Sequence, residues 1–303
     1  MPRTYTCSFP IRYYECDPYG HVSSANYLRY ATQAAMEASA DAGYDRAEYD
    51  ALGTLWLIRE AGMEYLRPVS YGETLEIKTW VSDFRRVRSR REYEMTVAGT
   101  GELAARGYSD WIYLSAASGQ PARIPETMIS AFFPEATPTA EGPKREPFPE
   151  PPPPPLGAFT ARRRALWQHL DMEGHMNSAW YLSLLEEVVM DALEHARWPI
   201  QRAQDEGFSY FVREHRIEYL RPIMLGDELR ITTYLGEIND DSAVRHCQIN
   251  LASGELIGRA QSEWAFVDLD SGQPLPVPQE WMLDLEDQMA ELPDEEIEGE
   301  IEE

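Results

Sequence analysis

Hydrophobic and polar positions alternate in patterns that divide the chain into two units with the same order of elements. In the first unit, an extended stretch of β-branched and aromatic residues at 4–15 precedes a helical segment. We predict that Ser23 or Ser24 is the N-cap of this helix, which runs to about Ala42, where Gly43 can end it. Four strand-like segments separated by turn signals follow at residues 55–66, 74–84, 89–98 and 104–115.

The second unit repeats this order, with a helix predicted at 178–195 and strands at 208–220, 228–238, 244–251 and 256–268. Polar residues recur as well as apolar ones. Each member of an Asp-x-x-Gly-His loop returns 154 residues later: Asp17, Gly20 and His21 become Asp171, Gly174 and His175. A period this long indicates that a whole domain was duplicated, because solenoid repeats are much shorter.

These patterns predict two domains, a linker and a tail. The domains occupy residues 1–133 and 158–280, and a proline-rich linker at 134–157 includes an unbroken proline run at 151–155. Such a run is stiff and can bridge two docked domains along their surface, although proline-rich segments also serve as ligands for recognition modules. The acidic tail at 281–303 is expected to be disordered after Leu292.

Charge excludes some classes of partner. The sequence has 52 acidic and 27 basic residues and a formal net charge of −25, and 12 of the acidic residues lie at 280–303. This negative field argues against binding to nucleic acid or to an anionic membrane. A halophilic source and a GC-rich genome, which favours arginine over lysine, are both compatible with the composition.

Cysteine usage and hydropathy point to a cytoplasmic protein. The three cysteines, Cys7, Cys16 and Cys247, lack paired spacing, which indicates free thiols in a reducing compartment. The N-terminus lacks the pattern of a signal peptide, and no window approaches the length of a membrane span.

The loop sequences resemble a known family. Residues 13–22 read Tyr-Tyr-Glu-Cys-Asp-Pro-Tyr-Gly-His-Val, with Asn-Tyr-Leu-Arg-Tyr at 26–30, and residues 171–178 read Asp-Met-Glu-Gly-His-Met-Asn-Ser. These strings resemble the 4-hydroxybenzoyl-CoA thioesterase-like branch of the hotdog fold, and two copies in one chain resemble the double-hotdog acyl-carrier-protein thioesterases. The resemblance implies an α+β fold of two tandem hotdog domains, each a long central helix wrapped by an antiparallel sheet, which form a pseudo-dimer within the chain.

The resemblance also implies an activity, the hydrolysis of acyl-CoA or acyl-carrier-protein thioesters without a metal or redox cofactor. Main-chain N–H groups near Ser24 and Ser178 would hold the thioester oxygen at the positive ends of the two helices. Asp17 or Asp171 would attack the carbonyl or activate water, and the longer family match favours Asp17. The alternative role for each aspartate is to close its loop.

Further residues of the loops and helices are candidates with open alternatives. Gly20 and Gly174 would permit a positive φ or a close approach to substrate. His21 and His175 would polarise the carbonyl or orient the aspartate, or they are structural. Asn177 would place the nucleophilic water or cap its helix, and Asn26 would contact substrate or begin the buried helix. Glu186 on the second helix has Thr32 as its counterpart, and it is either a second carboxylate or a solvated position.

Five arginines in seven positions form the clearest asymmetry between the copies: Arg85, Arg86, Arg88, Arg90 and Arg91. The second copy has acidic residues there instead. We expect the arginines to bind phosphates of coenzyme A or of a carrier protein, or to pair with the acidic segment of the other half or the tail. The Arg59-Glu60 and Arg213-Glu214 pairs would either reach the opposite site or form surface salt bridges.

Two departures bear on the substrate branch. Ser23-Ser24 stand where many family members have Asn-Asn, and Glu173 stands where plant-type enzymes carry a catalytic asparagine. A non-catalytic acyl-thioester sensor or scaffold is the main alternative function, whereas the Asp-to-His spacing disfavours a hotdog hydratase or dehydratase. The sequence also allows a homo-oligomer of pseudo-dimers.

Overall fold

The computed structural model describes residues 1–134 and 145–291. The first half contains β1 (Thr4–Pro10), α1 (Ser24–Asp41), α2 (Arg46–Leu52), β2 (Thr54–Tyr65), β3 (Thr74–Phe84), β4 (Arg88–Val97), β5 (Leu103–Ser115) and α3 (Glu126–Phe132). The second half contains β6 (Phe159–Arg164), α4 (Ser178–His195), α5 (Ile200–Asp205), β7 (Phe208–Tyr219), β8 (Glu228–Ile238), β9 (Ser242–Leu251), β10 (Leu256–Asp268) and α6 (Gln279–Asp284). Both halves therefore follow the order that the repeat predicts.

One antiparallel sheet contains all ten of these strands, in the order β1-β3-β4-β5-β2-β7-β10-β9-β8-β6. The halves join where β2 pairs with β7, with Glu60 opposite Glu218 and Glu64 opposite Glu214. The long helices α1 and α4 contact each other across this junction. The arrangement is that of two tandem hotdog domains, as the sequence predicts.

The two long helices bury different kinds of side chain. The buried face of α1 is lined with alanine at positions 31, 34, 35 and 38, and small side chains let a helix lie close to its neighbours. The corresponding face of α4 carries larger residues, among them Leu185, Val188 and Val189. The second half consequently has the largest contiguous core cluster, which also includes Trp198 and Phe266.

Several short elements were not predicted. The helices α2, α3, α5 and α6 each have only six or seven residues, too few for a clear hydrophobic period. Local signals exist for α2, since the Asp45 side chain accepts a hydrogen bond from the Glu48 amide at 2.9 Å. The first strand is also shorter than predicted, because the chain turns into a 3-10 helix at Tyr13–Glu15.

The described part of the linker contacts both halves. Arg145 forms an ion pair with Asp83 of β3 at 2.9 Å. The buried Phe148 ring lies under the guanidinium groups of Arg216 and Arg259. The remaining linker residues, 135–144, and the tail predicted to be disordered lie outside the described residues. None of the helices in residues 1–134 and 145–291 combines the length and apolar character needed to cross a bilayer.

Candidate functional site

The two Asp-x-x-Gly-His loops close through the same backbone pattern. Oδ1 of Asp17 accepts hydrogen bonds from the amides of Tyr19 at 2.9 Å and His21 at 3.0 Å. Oδ1 of Asp171 accepts from the Glu173 amide at 2.9 Å. Each aspartate therefore has the loop-closing role, and in each the second carboxylate oxygen, Oδ2, makes no hydrogen bond to a described residue.

The glycines of the loops are required by backbone conformation. Gly20 has φ of +81° and Gly174 has φ of +78°, a region that disfavours side chains. A Cβ added at either position would meet no atom within 4 Å. Of the two explanations that the sequence leaves open, the structure shows the positive φ.

The start of α1 meets a carboxyl group from the other half. The Ser24 hydroxyl, in the first turn of α1, donates a hydrogen bond to Oε1 of Glu186 on α4. We call residues 17–22, the start of α1 and Glu186 the first site. Residues 171–176, the start of α4 and Thr32, the counterpart of Glu186, form the second site. The second site has no acid at this position, because its residue there is a threonine. The Thr32 hydroxyl donates to the Leu28 carbonyl of its own helix at 2.8 Å.

Burial changes the protonation of Glu186. Burial raises the pKa of this carboxyl to about 8, and the charge of Asp17 adds to the rise against the opposing effect of Arg29. Arg29 is itself held by Asn26 at 2.7 Å and by Ser183 at 3.3 Å. At neutral pH the first site therefore holds a carboxyl that keeps its proton, beside the loop of Asp17.

A tyrosine supports the start of each helix, but only one of the two has a histidine partner. The Tyr65 hydroxyl donates to the Ser24 carbonyl at 3.3 Å, and Tyr219 donates to the Ser178 carbonyl at 3.1 Å. Nδ1 of His215 lies 3.3 Å from the Tyr65 hydroxyl. The counterpart of His215 in the repeat is Ala61. Burial lowers the pKa of His215 to about 4, so this ring is neutral near pH 7.

The two long helices also differ in whether a side chain caps their first turn. Asn177 caps α4, because its Oδ1 accepts a hydrogen bond from the Ala179 amide at 3.1 Å. The structure thus shows the capping role for Asn177. Ser23 makes no side-chain cap on α1, which leaves amides in the first turn of α1 available to a bound oxygen.

The surroundings of the three other predicted site residues differ. The buried Asn26 side chain donates to the Glu15 carbonyl at 2.7 Å, which fixes the start of α1. The His21 ring lies 6.1 Å from the Phe211 ring. The buried Nδ1 of His175 has no hydrogen-bond partner within the described chain. Neither histidine ring bonds to the aspartate of its loop among the described residues.

Each loop packs on the opposite half. The Tyr19 hydroxyl lies 2.7 Å from the Ser209 hydroxyl on β7, and its ring lies 5.0 Å from that of Phe211. In the second loop, Glu173 forms an ion pair with Arg46 of α2. Both sites are therefore built from both halves.

The five clustered arginines do not form a single patch. Arg90 and Arg91 are neighbours on β4, so their side chains take opposite faces of the sheet. Arg90 pairs with Asp110 at 2.7 Å, whereas Arg91 is buried inside the first half. Arg85 pairs with Asp83 at 3.0 Å. These partners belong to the same half, so the predicted pairing with the acidic segment of the second half is wrong for these two residues. Phosphate binding by the exposed Arg85, Arg86 and Arg88 stays a prediction.

The Arg-Glu pair on β2 contacts the other half, whereas Arg213 of the pair on β7 forms ion pairs within its own half. Arg59 donates to the Leu220 carbonyl at 2.7 Å, and Glu60 pairs with Arg216 at 2.8 Å, both across the junction. Arg213 instead pairs with Asp241 at 3.0 Å and with Glu263 at 3.1 Å.

Comparisons with known proteins agree with this architecture. A model of the thioesterase-like superfamily matches residues 11–132 and 165–286. The dodecanoyl-[acyl-carrier-protein] hydrolase of Cinnamomum camphora is 22% identical over 273 residues, covering 85% of this chain and 66% of that protein. The long-chain acyl-CoA thioesterase FadM of Escherichia coli is 32% identical over 108 residues, covering 35% of this chain and 81% of that protein. The chain spans about two thirds or less of the length of the plant relatives it matches.

A solved structure shows the same fold over nearly the whole chain. The putative oleoyl thioesterase from Lactobacillus plantarum has a TM-score of 0.72 at 17% identity, covering 91% of this chain and 98% of that one.

Proposed function

Because the chain belongs to the thioesterase-like superfamily, we propose that it hydrolyses acyl thioesters of coenzyme A or of acyl carrier protein, and that the reaction takes place at the first site. The observation that carries this proposal is the contact between Glu186 and Ser24 at the uncapped start of α1. This contact supports the proposal because it brings a carboxyl of the other half to the start of α1, directly after the loop of Asp17, and the matching position of the second site is Thr32.

The thioester oxygen would bind at the start of α1. Free N–H groups in the first turn and the positive end of the helix favour the negative charge that develops on this oxygen. Oδ2 of Asp17 is free to accept a proton from water as the water oxygen attacks the carbonyl carbon. This step forms the C–O bond and a tetrahedral oxyanion.

Collapse of the tetrahedral intermediate breaks the C–S bond. Glu186 carries a proton at neutral pH because burial raises its pKa to about 8, so it can give that proton to the departing sulfur. The proton on Asp17 then returns through water to Glu186 or to solvent, and the products are a carboxylic acid and a thiol. Two carboxyl groups in different protonation states thus divide the acid and base roles.

The decisive experiment measures thiol release from a panel of acyl-CoA and acyl-carrier-protein substrates. Glu186→Gln keeps a hydrogen-bonding side chain but cannot donate the acidic proton, so we expect kcat/KM to fall about 100-fold. Thr32→Val, at the matching position of the second site, serves as the control and should stay within about twofold. Absence of thiol release from the whole panel, or equal losses in both variants, would refute the proposal.

A further inference from the structure

Two buried hydrogen-bond donors in the second half have no acceptor among the described residues. They are Nη2 of Arg245 on β9 and Nε1 of Trp281 on α6. The two residues are 2% and 3% exposed. Both side chains line one small cavity between α4 and the sheet, which we call the second-half cavity. A guanidinium group and an indole N–H can only donate, so a group that satisfies them must accept hydrogen bonds.

The size of the second-half cavity limits what it can hold. It has room for about one water-sized sphere. Apart from Arg245 its lining is apolar or aromatic, and two of its aromatic residues already donate within the protein. The Tyr210 hydroxyl donates to the Trp198 carbonyl at 3.1 Å, and Nε1 of Trp264 donates to the Ser262 hydroxyl at 2.7 Å. The acceptor for the two remaining donors is therefore a water molecule or an ion of similar size.

The charge of Arg245 favours an ion over water. Its Nη1 donates to the Thr233 hydroxyl at a long 3.4 Å, and no carboxylate of residues 1–134 or 145–291 forms an ion pair with it. Burial lowers the pKa of Arg245 to about 10, which still leaves it charged near pH 7. The ionisable groups that act on it are Cys247 and Tyr210, and burial raises the pKa of both, so they are neutral there. A buried charge without a counterion is costly, and an anion compensates it whereas water does not.

The buried arginine recurs in the first half, where an aromatic ring meets its charge. Arg91 is the counterpart of Arg245, is also buried, and donates to the Thr79 hydroxyl at 3.4 Å. Its guanidinium lies 5.5 Å from the centroid of the Phe132 ring, and the face of such a ring attracts a cation. Within residues 1–134 and 145–291, no nitrogen of Arg91 is among the buried donors that lack an acceptor. The arginine belongs to the repeated fold, and its charge is met differently in each half.

The second half replaces this ring with a donor. Phe132, which follows directly at the end of α3, has Leu285 as its counterpart 153 residues later, so Arg245 has no ring in that position. The buried Met128 of α3 has Trp281 as its counterpart on α6. The side chains that line the second-half cavity thus include one cation, one further donor and no carboxylate. This set of groups suits a small anion.

We propose that the second-half cavity binds a single chloride ion, held by Nη2 of Arg245 and Nε1 of Trp281. Chloride carries one negative charge, accepts hydrogen bonds from several directions and is only slightly larger than a water molecule, whereas a carboxylate or phosphate group is too large for the space. The ion would connect β9 to α6 and so hold α6 on the sheet. The proposal does not depend on the proposed hydrolysis, because neither residue belongs to the first or the second site.

The test measures the melting temperature at fixed ionic strength while chloride replaces gluconate, an anion too large for the cavity. The wild type should become more stable as chloride rises, because an ion that binds only the folded state stabilises it. Arg245→Met should lose this chloride dependence, and Arg91→Met, which removes the matching guanidinium of the first half, should keep it. Trp281→Phe keeps an aromatic ring and removes the N–H, so it should weaken chloride binding about tenfold or more. This variant decides the question if Arg245→Met does not fold.

Crystals soaked in bromide, which has the charge of chloride and scatters anomalously, test the location of the ion. We expect an anomalous difference peak within hydrogen-bonding distance of Nη2 of Arg245 and Nε1 of Trp281. A water molecule at that position without such a peak would overturn the proposal. Equal melting temperatures of the wild type in chloride and gluconate would overturn it too, as would a chloride dependence that persists unchanged in Arg245→Met or Trp281→Phe. These measurements need no substrate, so their failure would leave the proposed hydrolysis standing.

Discussion

The first and second sites have the same backbone and different chemistry. Both have an aspartate that closes the loop, a glycine with positive φ and a strand tyrosine bonded to the first helix carbonyl. Only the first site adds Glu186 and His215, where the second has Thr32 and Ala61. Both halves therefore keep the parts that build the loop, the aspartates included, whereas Glu186 and His215 occur at the first site alone. Recurrence of the aspartate in both copies therefore does not separate a structural role from a chemical one, whereas Glu186 and His215 distinguish the first site from the second.

The largest expected difference between the sites comes from their aspartates. Asp17→Asn keeps an oxygen for the amides of Tyr19 and His21 but removes the base, so we expect kcat/KM to fall about 100-fold or more. Asp171→Asn makes the same change at the second site and should stay within about twofold. Steady-state thiol release checks both. A loss confined to Asp171→Asn would transfer the reaction to the second site.

The pH dependence should reveal Glu186. As an acid it acts while protonated, so wild-type kcat/KM should fall about tenfold per unit as pH rises above its pKa of about 8. Glu186→Gln should lack this alkaline limb, after subtraction of spontaneous hydrolysis. A wild-type profile that instead rises through this range would assign Glu186 the role of base.

Stability should change with pH for the same reason. The folded pKa of Glu186 exceeds its ordinary value of 4.5, so between these values the folded state binds more protons than the unfolded state. Its contribution to stability is intact below about pH 4.5 and is lost as pH rises through about 8. The melting temperature of the wild type should therefore fall relative to that of Glu186→Gln across this range.

A smaller effect is expected from His215, which acts through Tyr65 rather than on substrate. His215→Phe should lower kcat about tenfold or less with little change in KM, because it removes the partner of the tyrosine that supports the start of α1. His215→Asn can still hydrogen-bond to Tyr65 and should recover most of the rate. Equal losses in both variants, together with a lower melting temperature, would show that the histidine is needed only for packing.

Local features of the site could be predicted from the sequence, and the long-range ones could not. The positions of the loops and of the helices that follow them could be read from the spacing of Asp17, Gly20 and their counterparts in the repeat. Glu186 is 162 residues from Ser24, and only the contact between α1 and α4 brings the two together. The repeat gave one clue, since Glu186 has threonine as its counterpart. His215 lies between the charged residues Glu214 and Arg216, so its local sequence does not mark it as buried, and its contact with Tyr65 exists only because β2 and β7 pair. The sequence could not show that Arg90 and Arg91, as neighbours on β4, take opposite faces of the sheet.

The continuous sheet across β2 and β7 places two non-identical halves in one polypeptide. In a symmetric dimer of identical subunits, any substitution occurs at both copies of the interface at once. Here a mutation changes one side alone, so the residue opposite the start of α1 can be an acid while its twin remains a threonine. Because the two halves are fused in one chain, each can change separately. The first site can therefore acquire a reaction while the second site keeps a structural role.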